Sequence, residues 1–238
     1  MKYTENELIN MAAPISQSED AKCKNAISMV RDAMKNLNYT DDGKDIRTYK
    51  EGSYSYALDL RQKNTDKKIT LLVQGSYANK TNIPSESDVD VAVILESTFV
   101  PKYRDGVTGK NYGFSEGTFS AEELKDEVLN ALKIYFNNDG VERHDKSIKI
   151  IGNTYRVNAD VVPAYRHRDY TNDFLINENN YVGGIEIRPD SGGRIINYPE
   201  QHIRNDIEKN NISKYNFKKC VRIIKNMRID MISHGYNV

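Results

Sequence analysis

The sequence has no tryptophan, only two cysteines, no surplus of either charge and no long apolar run. Each gap removes a class of explanation. Lys plus Arg and Asp plus Glu stand at 34 each, so no global basic field argues for a long nucleic-acid partner. Cys23 and Cys220 lie far apart and the four histidines are scattered, which leaves neither a disulfide framework nor a zinc-ligand spacing. That thiol usage fits a reduced, cytoplasmic protein. No apolar stretch approaches the roughly 20 residues that cross a bilayer, and MKYTENELIN lacks the charged-then-apolar order of a secretory leader. No membrane partner is expected. No Gly/Ser linker divides the 238 residues, which suffice for one large domain or two lobes sharing a core.

What is present is a succession of periodic segments. Ser16 with Glu19 fits a capping box, and Ala26, Ile27, Val30, Ala33, Met34 and Leu37 recur at helical spacing, predicting a helix over 16–37. The polar stretch 40–66 reads as loops or a peripheral hairpin. ITLLVQ (69–74) and DVDVAVIL (88–95) read as strands, joined by a loop with room for one helical turn. Residues 101–117 read as a loop. Ser120 with Glu123 opens a second helix carrying Leu124, Val128, Leu129, Leu132 and Phe136. SIKIIGNTYRVNADVVPAY reads as a hairpin turning at Gly152-Asn153, and GGIEIRPDSGGRIINY as another turning from Asp190 to Gly193. FKKCVRIIKNMRIDMI (217–232) is amphipathic, with Phe217, Val221, Ile224, Met227 and Met231 on one side. The order predicts an α+β fold with a mixed sheet flanked by helices.

The strand 88–95 carries the chemistry. Side chains alternate along a strand, so Asp88 and Asp90 point one way and Val89 and Val91 the other, with the acidic Cα atoms roughly 6.6 Å apart. Two anions this close repel by up to ~4 kcal/mol at 4 Å and an effective dielectric of 20. A cation removes that cost, and divalent magnesium is the obvious one, held by carboxylates, water and substrate phosphates. A bare pair of this kind also reads as a strand cap and a solvated edge residue. Gly75-Ser76, just upstream, shifts the balance, because its glycine lets backbone N–H groups approach a phosphate and its serine adds a donor. Asp160 interrupts a second apolar strand. In isolation it reads equally as a hydrogen-bonded edge residue or as a third carboxylate of the same site. Gly52-Ser53-Tyr54 repeats the triplet Gly75-Ser76-Tyr77 but leads into no acidic strand, and is expected to be a decoy.

The sequence GS, then SDVDVAV, then a lone Asp on a later strand resembles the nucleotidyltransferase superfamily that includes DNA polymerase beta. QGSYANKTNIPSESDVDVAVIL, NADVVPAYRH, INYPEQHIRNDIEKNN and FKKCVRIIKNMR together resemble the bacterial cGAS/DncV-like nucleotidyltransferases, which make cyclic oligonucleotide signals for anti-phage defence. The likeness spans about residues 18–232. It implies a polymerase-beta-like core over 1–213, with an N-terminal helix, and the start of a short C-terminal helical lobe over 214–238. It also implies two Mg²⁺ (or Mn²⁺) ions held by Asp88, Asp90 and Asp160, with NTPs as substrates and a ribose hydroxyl attacking an α-phosphate as pyrophosphate leaves. Regulatory or effector proteins of a defence operon are the implied partners. Relatives continue into further helices that close the nucleotide cleft, and this sequence stops at Val238, where they would begin. It carries no zinc-binding insertion of the animal DNA-sensing relatives.

On this resemblance Gly75 and Ser76 cradle the triphosphate, and Lys225 on the last helix either adds a phosphate contact or is a solvated lysine on an amphipathic helix. Lys218 is a weaker case of the same. His202, Asn205 and Lys209 share one helical face that reaches either a base or a phosphate, or ties the segment to the sheet. Tyr77 and Tyr165 either stack on a base or pack in the core. Single-nucleotide transfer to a small-molecule or protein hydroxyl, and a catalytically silent nucleotide-binding module, are the competing functions.

Overall fold

The computed structural model describes residues 2–41, 47–48, 56–84, 86, 88–117 and 121–237. Two helices open the chain, α1 (Glu5–Ala12) and α2 (Gln17–Lys35), and both start in capping boxes, Thr4 with Glu7 and Ser16 with Glu19. The second is the box expected from the sequence. The first opens a short helix, not expected from the sequence, in which no residue is fully buried.

Strands follow: β1 (Tyr39–Asp41), β2 (Arg47–Thr48), β3 (Tyr56–Gln62), β4 (Lys68–Gln74), and, after the single turn α3 (Gly75–Ala78), β5 (Val89–Tyr103). The helix α4 (Ala121–Tyr135) leads to β6 (Val141–Arg143), β7 (Ile148–Ile150), β8 (Ala159–Tyr170), β9 (Val182–Ile187) and β10 (Ile195–Asn197). The chain then ends in α5 (Pro199–Ile212) and α6 (Phe217–Ser233). The sheet runs β1-β3-β4-β5-β8-β7-β6, with β2 on β3, β9 on β8 and β10 on β9. The β5–β8 pair at its centre is parallel and the other pairs are antiparallel. It is the mixed sheet the sequence predicts.

The two faces of the sheet differ. Val89, Val91, Val93 and Leu95 of β5, with Leu71 and Val73 of β4 and Val161 of β8, pack under α2 and α4 in the main core. The alternate residues, Ala92, Ile94, Leu72, Val162 and Ala164, form a smaller core with Ile185 and Ile187 of β9. The far edge of β8 is shared, pairing with β7 as far as Val161 and with β9 from Tyr165. Pro163, which has no N–H to donate, sits in the gap between the two partners.

Four expectations are corrected. Residues 56–62 are not peripheral, because Leu58 and Leu60 are buried and β3 is hydrogen-bonded on both edges. Residues 101–103 continue β5 instead of opening a loop. The β7–β8 connection is not a two-residue turn. It occupies 151–158, where the Gly152 N–H bonds the Asn158 side chain at 2.7 Å. Nor is α6 buried by its apolar side. Ile224 is 65% exposed, and the buried residues are Lys218 and Arg222. The reason is polar docking onto helix-end carbonyls. Arg222 donates to Ala12 O at 2.7 Å and Lys80 O at 2.5 Å, and Asn226 donates to Met11 O at 3.0 Å. The Asp190–Gly193 turn between β9 and β10 is as expected, while the Ser120 cap and the Gly52-Ser53-Tyr54 triplet lie outside the described residues.

Candidate active site

Strand register brings the acids together. Gln74 of β4 lies opposite Asp90 of β5, Asp90 opposite Asp160 of β8, and Asp160 opposite Lys149 of β7. Residues opposite one another share a face, so this is one polar row across four strands, on the face away from α2 and α4. Asp88 stands just before β5, its Oδ1 accepting from Asn158 Nδ2 at 3.1 Å. Burial pushes the Asp90 carboxyl up to about 6, the charges of Asp160 and Asp88 add to the shift, and Lys225 opposes it. The three acids and Lys225 therefore share one electrostatic neighbourhood.

Gly75 closes the site from above. Its φ of +72° is left-handed, and a Cβ there would lie 2.0 Å from Asp90 Oδ2, so only glycine lets this backbone rest on the carboxylate. Behind it, Thr81 N–H bonds Ser76 O at 3.0 Å, and Tyr77 O–H donates to Asp20 of α2 at 2.8 Å. A cleft of about 240 Å³ opens beside the turn. Gln74, Gly75, Asn79 and Asp90 form one wall, and Asn197, Pro199, His202 and Ile203 form the other.

Among the described residues, no three His, Cys, Asp or Glu side chains form a ready-made ligand cage. Asp88 and Asp160 each give one oxygen to a neutral donor, Asn158 at 3.1 Å and Ser147 Oγ at 3.4 Å. What remains is a set of hard carboxylate oxygens whose mutual repulsion Lys225 offsets only in part. That donor set suits Mg²⁺ or Mn²⁺, not a thiolate- or imidazole-seeking metal, so the residues fit a divalent cation.

The other expected residues are distributed as follows. His202 lines the cleft, whereas Asn205 and Lys209 are exposed farther along α5. Lys225 Nζ lies 3.6 Å from Glu86. Lys218 is buried, burial lowers its pKa, and Asp206 is the charge that resists this. Tyr77 and Tyr165 belong to the main core, which settles their two readings in favour of packing. Sequence reasoning missed Asn158, Ser147, Asn79 and Asn197. Asn79 Oδ1 is buried without a partner in a residue that lines the cleft, a polar atom left over for a ligand. Nothing in an isolated Asn or Ser signals these roles.

The sequence profile of the nucleotidyltransferase domain matches residues 54–182. Over 232 residues the chain is 44% identical to the cyclic GMP-AMP synthase CdnE03 of Staphylococcus schleiferi, covering 98% of this chain and 71% of that one. It is 35% identical to the cyclic dipyrimidine nucleotide synthase CdnE of Cecembia lonarensis, covering 100% and 70%. Among solved structures, the Rhodothermus marinus CdnE c-UMP-AMP synthase with Apcpp and Upnpp superposes with a TM-score of 0.74 at 25% identity, covering 99% of this chain and 70% of that one.

Proposed function

Because this chain belongs to the nucleotidyltransferases, in the branch of the CdnE cyclic nucleotide synthases, we propose that it joins NTPs into a cyclic di- or trinucleotide messenger for anti-phage signalling. The observation that carries the reading is the meeting of Asp88, Asp90 and Asp160 in one electrostatic neighbourhood, with Asp90 beneath the Gly75 turn. Nucleotidyltransferases of this family use divalent metals. Mg²⁺ or Mn²⁺ held by the three acids would neutralise charge on the phosphates and lower the pKa of the attacking ribose hydroxyl.

The chain's own groups do the rest. The Gly75-Ser76 turn offers N–H and hydroxyl donors to the triphosphate, and Lys225 supplies positive charge on the same side as Asp90. Pro199 and Ile203 give the cleft an apolar wall for a base, with His202 and Asn197 as polar contacts. The exposed Ile224 and Ile232 of α6 support reading 214–238 as the start of a helical lobe beside a core at 1–213.

Incubation with all four NTPs and Mg²⁺ or Mn²⁺, followed by phosphatase and mass spectrometry, tests the function. A phosphatase-resistant cyclic product from NTPs alone is expected. Product that appears only when a hydroxyl acceptor is added would instead select single-nucleotide transfer. Metal-dependent NTP binding without turnover would select a silent nucleotide-binding module.

A further inference from the structure

We propose that Asn158 is a positioning residue for the carboxylate of Asp88, fixing which of its oxygens faces the metal site. The inference rests on the nucleotidyltransferase reading of Asp88. Asn158 is held from three directions. Its backbone carbonyl accepts from Val89 N–H at 3.1 Å, in line with the β5–β8 ladder. Its Oδ1 accepts from Gly152 N–H at 2.7 Å, and its Nδ2 donates to Asp88 Oδ1 at 3.1 Å. The amide orientation follows from its neighbours. A backbone N–H can only donate and an ionised carboxylate can only accept, so the reverse orientation would lose both bonds.

The loop that delivers Gly152 is built tightly enough to hold it. A Cβ on Gly152 would stand 2.7 Å from Asn158 N and 2.9 Å from Arg156 O, so only glycine fits. Asn153 Oδ1 accepts from the N–H groups of Tyr155 and Arg156, and Asn25 of α2 donates to Tyr155 O at 3.0 Å. The Arg156 guanidinium lies 4.7 Å from the centre of the Phe136 ring. The 151–158 connection is thus pinned to α2 and to the end of α4, and passes that rigidity to Asp88 through one amide.

The choice of an amide has a chemical reason. A lysine or arginine would orient Asp88 equally well but would neutralise the charge that a metal needs. Asp in its place would repel it. A neutral donor occupies Oδ1 and leaves Oδ2 and the full negative charge available. Ser147 repeats the pattern on Asp160 with a longer bond. Outer groups that orient metal ligands typically change affinity 10–100-fold when removed.

The test is Mn²⁺ titration of nucleotide-free protein, followed by electron paramagnetic resonance, on wild type, Asn158→Leu and Asp88→Asn. We expect Asn158→Leu to bind Mn²⁺ about tenfold more weakly and Asp88→Asn to lose the site. Should Asn158→Leu fail to fold in metal-free buffer, Asn158→Ser replaces it, keeping an acceptor beside Gly152 while falling short of Asp88. Wild-type Mn²⁺ affinity in a folded Asn158 variant, with binding lost in Asp88→Asn, overturns the role of Asn158 and leaves the nucleotidyltransferase site standing. Unchanged affinity in Asp88→Asn overturns the reading of the site, and this inference with it.

Discussion

Asp90 is a carboxylate that the metal-free fold disfavours. Its carboxyl is held at about 6 against an ordinary 3.8, first by burial and then by Asp160 and Asp88. Ionised Asp90 therefore costs the fold on the order of 3 kcal/mol at neutral pH. Because the folded value is raised, the cost is fully present above about pH 6 and vanishes as protonation proceeds toward pH 4. Asp90→Asn should abolish product formation yet raise metal-free stability at pH 7.5 by up to that amount, and the two melting curves should converge near pH 4. A variant that unfolds instead would make this carboxylate a structural one. Gly75→Ala acts at the same contact. It places a Cβ against Asp90 Oδ2 at a left-handed φ, costing about 1–2 kcal/mol in backbone strain. By displacing the carboxylate it should lower turnover about 100-fold, a loss read from initial rates in folded protein. The acids were legible because a lone charge in an apolar strand stands out. Asn158 was not, because its meaning depends on Asp88, 70 residues away.

Among elements, α5 is held where His202 can face the cleft by an ion cluster around the buried Arg166, whose glutamate partners are half-exposed. Arg166 of β8 donates to Glu96, beside the irregularity in β5, and to Glu200 in the first turn of α5, at 2.6 and 3.3 Å. It also reaches Gly184 O. Removing Arg166 deletes its charge-assisted bonds but leaves glutamates that water can reach, so Arg166→Met should destabilise by about 1.5–3 kcal/mol in urea titration. Neutralising Glu96 and Glu200 in the same chain should recover much of the loss. If Arg166→Met retains stability, α5 is held by its apolar contacts instead. No local pattern announces this cluster, since its members are spread over more than 100 residues. The Ser16–Glu19 capping box and the β9–β10 turn were readable because their partners lie within a few residues. The face of α6 was misread because amphipathicity assumes that apolar residues are the ones covered, whereas Arg222 and Asn226 dock this helix through carbonyls of α1 and Lys80.

At the scale of the molecule, the parallel β5–β8 pair joins two ends with different chemistry. One end carries Asp90 and Asp160, and the other reaches Tyr103 opposite Tyr170. There Tyr112 and Phe114 stack, with Tyr112 and Tyr170 rings 4.7 Å apart. Asp173 closes this end, accepting from Tyr112 O–H, Asn180 Nδ2 and the N–H groups of Leu175 and Asn177. Burial alone would raise the Asp173 carboxyl, but these bonds win and hold it at about 2. Asp190, bonded by Arg143 and Lys125, is likewise well below the ordinary range, and the Asp145 carboxyl is lowered by its bonds from Ser191. Depressed in the folded protein, these groups stabilise it fully above about pH 4, and that stability is lost as the pH falls through their folded values. Hydrogen-bonded carboxylates outside the candidate site should therefore govern acid unfolding. Asp173→Asn should melt lower than wild type at pH 7, lose less as the pH drops below 4, and meet the wild-type curve near pH 2. Parallel curves across that range would mean that the Asp173 network adds nothing specific to the charged form, and that acid sensitivity resides with Asp145 and Asp190, where the β6–β7 and β9–β10 connections meet.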